Sequence, residues 1–294
     1  MKHYIEYIGA IIFIWIIRLF PLEIIYKIGA GMGLFMYYVI PIRRSIALEN
    51  IKAAFPERSE SERRRICRNA YRHFGMTVLE YVCVGQLPVE RVKEMVVFEP
   101  SLLLHEEMAQ NKGLIGVTGH FSSFELLGIA VGYSGIPIDM VVKPLRNPMT
   151  EKLMDEMRKS TGLGVIKIKE GFLKIMRSIH KKRLVALVAD QDAGQDGIPV
   201  KFFGIDSSTP AGPGILAVRT GARMIAGFIV REQPGKYRAY IHSIPYERMC
   251  NPGDNTVIAI TQYYTALLES YIRRYPEQYF WMHKRWKSAG LYRK

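Results

Sequence analysis

Leu114-Ile115-Gly116-Val117-Thr118-Gly119-His120-Phe121-Ser122-Ser123-Phe124-Glu125 decides how this chain is read. Its first five residues form an apolar run that predicts a strand buried on both faces. Ser122 followed three residues later by Glu125 fits a capping box and predicts a helix starting here. His120 then falls in a strand-to-helix turn, where a side chain reaches solvent and substrate. On one continuous helix, five residues turn through roughly 500°, which would put His120 and Glu125 on different faces. They converge only if the histidine precedes the helix and the glutamate lies in its first turn. That geometry suits a histidine base oriented by a carboxylate and able to activate a hydroxyl.

Outward from this stretch, short apolar runs alternate with helical patterns from residue 96 onward. Strands are predicted over 114–118, 138–143, 164–168, 184–189, 224–230 and 237–242, and helices over 101–110, 123–132, 149–160, 170–181, 210–221 and 255–275. This alternation predicts an α/β fold, a mixed sheet flanked by helices. Ligands in such sheets bind at the carboxyl ends of strands, where His120 and Asp190 both fall. Residues 45–95 read as helical, with Ala70, Phe74, Val78 and Tyr81 at helical spacing. The arginine run from Arg63 to Arg72 is either a solvated helix face or a docking site for an acidic partner.

The 294 residues suffice for one large domain, or a domain with a small appendage. Lysine and arginine number 41 against 27 acidic residues, a net charge of +14 that points to anionic partners. Nucleic acid is disfavoured, because the basic residues are dispersed and no zinc-finger or RNA-binding motif occurs. Hydrophobic residues make up 49% of the chain, and together with the charge this favours a membrane surface. Cys67, Cys83 and Cys250 lie far apart with no C-x-x-C, against a disulfide framework or a zinc site.

The N-terminus is strongly apolar. Tyr7–Ile17 is shorter than the roughly 20 residues a span needs, and Ile24–Ile42 follows, interrupted by Lys27. Three readings stand: a short inserted or tilted helix, an interfacial hairpin with Trp15 at headgroup level, or two core helices. Gly29-x-Gly31-x-Gly33 has the wrong spacing for a dinucleotide site and predicts close helix packing.

Other candidates lie further along. Lys143, Arg146 and Asn147 sit in a Pro-bounded loop after a strand. Arg158, near a helix end, is a surface charge or an oxyanion-stabilising cation. Asp190-Gln191-Asp192 fails as a calcium loop, since Lys201 stands where a bidentate glutamate is needed. Asp190 is then a catalytic or structural carboxylate, or a turn residue. Phe202 and Phe203 line an acyl-chain groove or the core. Thr209, before Pro210, reads as a helix N-cap. Trp281-x-His283-x-Arg285-Trp286 is a headgroup clamp or a solvated tail. No G-x-S-x-G elbow and no P-loop occurs.

In this order the segments resemble the late (secondary) acyltransferases of lipid A biosynthesis. The resemblance rests on the apolar N-terminus, Asn50-Ile51-x-x-Ala54-Phe55-Pro56-Glu57, Gly119-His120-Phe121-x-x-x-Glu125, Pro144-Leu145-x-Asn147-Pro148, Arg158, Asp190-Gln191-Asp192, Phe202-Phe203-Gly204, Thr209 and Trp281-x-His283-x-Arg285-Trp286. It covers nearly the whole chain. It implies a membrane-anchoring segment at 1–42 and an acyltransferase catalytic domain at 43–294, facing the cytoplasm from the bacterial inner membrane. It implies an acyl carrier protein thioester as donor, a lipid A precursor as acceptor, and no metal or tightly bound cofactor. His120 would be the base, Glu125 its orienting carboxylate, Arg158 the oxyanion partner and Asp190 a further acidic member of the catalytic set. Lys143, Arg146, Asn147, Phe202, Phe203, Thr209 and Arg285 would contact substrate.

One departure stands out. The family usually carries Gly-Asn-Trp where this chain has Ser122-Ser123-Phe124. Another glycolipid, a phospholipid or an aminolipid stays open as acceptor, and acyl-CoA as donor. A catalytically idle scaffold that binds lipid or carrier protein is the reading from outside enzymes.

Overall fold

The computed structural model describes residues 2–249 and 255–292. Five helices come first: α1 (Lys2–Ile17), α2 (Leu22–Tyr38), α3 (Arg44–Ala54), α4 (Glu60–Val84) and α5 (Val89–Met95). The α/β part follows as β1 (Val96–Glu99), α6 (Leu103–Ala109), β2 (Leu114–Thr118), α7 (Phe124–Tyr133), β3 (Ile138–Val142), α8 (Pro148–Ser160), β4 (Gly164–Lys167), α9 (Phe172–His180) and β5 (Leu184–Val188). A hairpin of β6 (Ile198–Phe202) and β7 (Ile205–Thr209) interrupts the alternation. Then come α10 (Gly212–Thr220), β8 (Arg223–Gln233), β9 (Lys236–Ser243) and α11 (Thr256–Arg274).

Seven strands form one sheet in the order β1-β9-β8-β2-β5-β3-β4. Every neighbouring pair is parallel except β8–β9. β8 and β9 turn through Pro234-Gly235, and Gly235 has a positive φ of 77° that suits a residue without Cβ. The central strand β2 is covered on both faces, hence its unbroken apolar run. One face packs on α7 around Leu127, Ile138 and Ile225. The other packs on α9, α10 and α11 around Val117, Ala226 and Leu268.

The sequence left three strands unread. β1 is four residues long at the sheet edge, and β6–β7 pair only with each other, around Phe203-Gly204. Thr209 closes β7, and α10 starts three residues later with Ala211 as its N-cap, so Thr209 caps no helix. The predicted capping box at Ser122 is also absent. α7 begins at Phe124, its N-cap is Ser123, and no side chain caps it. A full capping box does form at Ser59–Glu62, opening α4.

α2 lies along α4 through a glycine seam. A Cβ on Gly29 would come within 2.7 Å of the Gly75 carbonyl oxygen, so the two backbones meet directly. Gly33 sits against Tyr71 in the same way, while Gly31 faces open space. No helix among the described residues is long and apolar enough to cross a membrane. α1 has 16 residues, about 24 Å at 1.5 Å per residue, against a hydrocarbon core of about 30 Å. An N-terminal helix that spans the membrane is therefore not supported. α1 leans on α8 and α4 and shows solvent much of its apolar surface, including Ile5, Ile12 and Trp15, and Leu19 and Phe20 are exposed in the turn that follows. Cys67 and Cys83 are free and buried; Cys250 lies outside the described residues.

Candidate active site

The site is set by strand register. β2 and β5 are parallel neighbours, and Thr118 pairs with Val188. His120 and Asp190 each lie two residues beyond that pair, so the chain brings them side by side at the carboxyl end of the sheet. The Asp190 carboxylate accepts a 2.7 Å hydrogen bond from Nδ1 of His120 and a 3.0 Å bond from the His120 backbone N–H. It thus fixes both the ring and the loop that carries it. With Nδ1 donating, Nε2 of the neutral ring carries the free lone pair. Nε2 lies 3.4 Å from the side-chain nitrogen of Gln191. The ring is held edge-on against Phe124, with centroids 5.1 Å apart.

Burial alone would depress the His120 pKa, but the charge and hydrogen bond of Asp190, with help from Glu125, leave it above the ordinary imidazole value. Burial likewise pushes the Asp190 carboxyl up, and His120 more than offsets this, so Asp190 stays below the usual carboxylate range. Arg285, buried beneath, pulls it the same way.

Glu125 does not hold the ring. Its carboxylate is gripped by Arg158, with bonds of 2.6 and 3.3 Å from the guanidinium. The orienting carboxylate is therefore Asp190, and Glu125 reaches His120 through its charge. Sequence spacing could not show this, because it does not say which strand lies beside β2. Arg158 also faces Asp155 at 3.8 Å, and Lys167 bonds Asp155 and Glu151 at 2.5 Å each.

Two cavities meet at this group. One, of about 340 Å³, lies between α4 and the start of α7 and is lined by His73, Phe74, Tyr81, His120 and Glu125. The other, of about 450 Å³, has Lys143, Arg158 and Asp192 at its polar side and Leu127, Ile138 and Ile225 along its apolar side. His120, Phe124 and Glu125 line both. Gly116 and Gly227 on the sheet and Gly128 on α7 help to line the second, leaving room between the sheet and its covering helix.

The remaining predicted residues are placed as follows. Lys143 is exposed at the second cavity, and Arg146 is exposed on the loop before α8. Asn147 is buried and committed: it caps α8 through Met149 N–H, and its amide donates to His3 and Glu6 on α1. Phe202 and Phe203 line neither large cavity. They pack under the site against Trp281, Trp286 and Phe55. Thr209 accepts a 2.6 Å bond from Arg285, which also donates to the Ser208 carbonyl. With Arg285, Trp281 and Trp286 all buried, the C-terminal motif is part of the core, neither a solvated tail nor a headgroup clamp. The segment after α11 clamps the loop that carries His120: Phe280 N–H donates to the His120 carbonyl, and Ser122 N–H to that of Gln278.

Sequence reasoning missed a buried charge cluster behind this loop. Glu80 on α4 accepts from Arg231 at 3.0 Å, from Ser123 and Tyr26 at 2.5 Å, and from Tyr237. Arg231 also donates to Ser123 at 2.9 Å, to Thr77 at 3.1 Å and to Tyr237 at 2.6 Å. The signal was present as Glu80 inside one apolar run and Arg231 at the end of another. The cluster gives the Ser-Ser-Phe departure a structure. Ser123 belongs to the cluster, Phe124 packs on His120, and Ser122 holds a left-handed φ of 50° where the family usually has glycine.

A parallel-rich α/β sheet carries a carboxylate-held histidine at a strand end, open to two cavities, which is the arrangement of a candidate active site. The chain matches the model of the bacterial lipid A biosynthesis acyltransferase family over residues 1–288, and it belongs to that family. It is similar to the lipid A biosynthesis palmitoleoyltransferase of Escherichia coli, 27% identical over 99% of this chain and 93% of the relative. It is also similar to the lauroyltransferase of the same organism, 26% identical over 98% and 92% of the two chains. A phosphatidylinositol mannoside acyltransferase of Mycolicibacterium smegmatis is 26% identical over 60% of this chain and 57% of that one. The protein is thus an acyl-transferring enzyme.

Proposed function

We propose that the enzyme moves a fatty acyl chain from an acyl carrier protein thioester to a hydroxyl of a lipid A precursor. The observation that carries the reading is His120, held by Asp190 where two cavities join, with the Glu125–Arg158 pair alongside. In the reaction the acceptor oxygen attacks the thioester carbonyl as its proton passes to Nε2 of His120. Arg158 faces the oxyanion that forms. The C–S bond then breaks, and the thiolate takes the proton back from His120. Two cavities suit donor and acceptor held together in a ternary complex, which gives the attack its proximity.

The surroundings fit a membrane interface. The net charge of +14 suits an acidic carrier and an anionic leaflet alike. The exposed apolar face of α1 and the following turn, with Trp15 among its members, suits burial at the interface without crossing it. These features support a location on the cytoplasmic face of the bacterial inner membrane.

The test is a membrane-fraction assay with loaded acyl carrier protein and lipid A precursor, read by mass spectrometry. Wild type is expected to add one acyl group. His120→Ala should lose at least about 10²-fold in rate while keeping its thermal transition. Retained transfer in that variant overturns the mechanism. Transfer to phosphatidylinositol mannoside or from acyl-CoA, with none to lipid A precursor, would replace the substrates and leave the chemistry.

A further inference from the structure

The loop after β5 brings a second side chain to His120. The amide nitrogen of Gln191 lies 3.4 Å from Nε2, the atom that takes the proton in the proposed reaction. Nδ1 is committed to Asp190, so Nε2 of the neutral ring can only accept, and an amide N–H can only donate. Among the described residues the Gln191 amide has no other hydrogen-bond partner. It rests on the lone pair that an acceptor hydroxyl must reach.

The backbone on both sides of Gln191 is fixed. Asp190 is buried and accepts two bonds from His120. Asp192 accepts from the Ser288 backbone N–H at 3.0 Å and from its hydroxyl at 2.9 Å, and its own N–H donates to Nε2 of His283 at 3.2 Å. Gln191 is thus held between the His120 loop and the C-terminal segment, with its side chain left over. It is half-buried and lines the second cavity, which Arg158 also lines, but not the first.

At 3.4 Å the contact with the ring is long and weak. A hydroxyl coming to Nε2 at about 2.6–3.2 Å, the reach of a general base, displaces the amide at small cost. The released N–H then lies beside the oxygen that Nε2 holds. Once that oxygen bonds to the thioester carbon, the former carbonyl oxygen sits on the same carbon and comes within reach of the same amide. Arg158 alone is a committed donor there: its Nε and Nη2 bond Glu125 at 3.3 and 2.6 Å, and its Nη1 faces Asp155 at 3.8 Å.

We infer that Gln191 is a catalytic donor: its side-chain amide caps Nε2 of His120 in the empty site, gives way to the acceptor hydroxyl, and then donates to the carbonyl oxygen as that oxygen takes on negative charge. The amide keeps both its protons throughout, and only its hydrogen bond moves. The inference rests on the acyl-transfer reading for the identity of that oxygen.

The test begins with Gln191→Leu, which is close in size and lacks the donor. In the transfer assay its kcat should fall about 10²-fold, as loss of one oxyanion donor does, with KM for both substrates and the thermal transition close to wild type. A kcat within about threefold of wild type overturns the inference. So does a loss confined to KM, which would make Gln191 a binding contact only. Gln191→Glu keeps the shape, removes the N–H, and covers the case of a leucine variant that fails to fold. It should be comparably slow. Its carboxylate beside Nε2 should also raise the His120 pKa by about one pH unit or more, read by NMR of the histidine rings in the full chain without substrate. The groups already facing that ring, Asp190, Glu125 and His283, are unchanged in this variant. An unmoved titration means that the side chain does not lie on Nε2, and it overturns the inference. Equal product from wild type and Gln191→Leu defeats this role alone. No product from wild type with any substrate pair defeats the acyl-transfer reading, and this role with it.

Discussion

Two glutamate–arginine pairs lie on either side of the His120 loop, and they differ in what surrounds them. Glu80–Arg231 is almost wholly buried, with side chains 1% and 3% exposed, and hydroxyls of Tyr26, Tyr237 and Ser123 complete its shell. Glu125–Arg158 is 15% and 13% exposed and lies where the two cavities meet. The first pair joins α2, α4, the start of α7 and strands β8 and β9, and it leaves little capacity for a ligand. The second keeps part of its hydrogen-bonding capacity facing open space. The same ionic chemistry is therefore sealed into the interior in one place and left facing the cavities in the other, and the shell decides which.

That contrast can be broken in order of effect. Glu80→Ala leaves Arg231 charged and unpaired in the interior, and about 3–5 kcal/mol of stability should be lost. Thermal or denaturant unfolding measures this, and a transition within 1 °C of wild type would refute the scaffold role. Glu125→Gln should reverse the balance. Its melting point should change little, while the rate falls about 10²-fold as Arg158 loses its charged partner and His120 a nearby negative charge.

Asp190→Asn sharpens the account of the base. In the proposed mechanism neutral His120 is the active form, so the rate should rise with pH through the His120 pKa. Asp190 holds that pKa above the ordinary imidazole value, so wild type should switch on at the more alkaline pH. The asparagine variant should be slower, with its rising limb moved towards acid. A limb that stays in place would remove Asp190 as the source of the shift. The smallest effect expected is from Ser122→Gly, which relieves a left-handed backbone and an unpaired hydroxyl. It should raise stability by about 1 kcal/mol, read as a modest increase in melting temperature.

The long parallel strands were legible because a strand covered on both faces must be apolar throughout, as β2 is from Leu114 to Val117. β1 escaped because Val96–Glu99 is short and lies at the edge, and β6–β7 because Ser207 and Ser208 break any apolar pattern. Of the site, the carriers were legible but their pairing was not. His120, Glu125, Arg158 and Asp190 all stand out by position, yet only the order of strands shows that Asp190 holds the ring. His73 was passed over and Tyr81 counted as an ordinary apolar position. A residue's place on a helix face does not reveal whether its polar atom finds a partner. Phe202, Thr209 and Arg285 carry the same motif chemistry inward, where they support the floor beneath Asp190.

The register of β2 on β5 also sets a limit on how the site can change. His120 and Asp190 are both counted from one paired rung, Thr118 and Val188, and each count is two. One residue added or removed within either count would shift one partner without the other. The loops before β3 and after β9 share no such count with the base. Length variation should therefore accumulate there and be purged between Thr118 and His120 and between Val188 and Asp190, even where every catalytic side chain is retained.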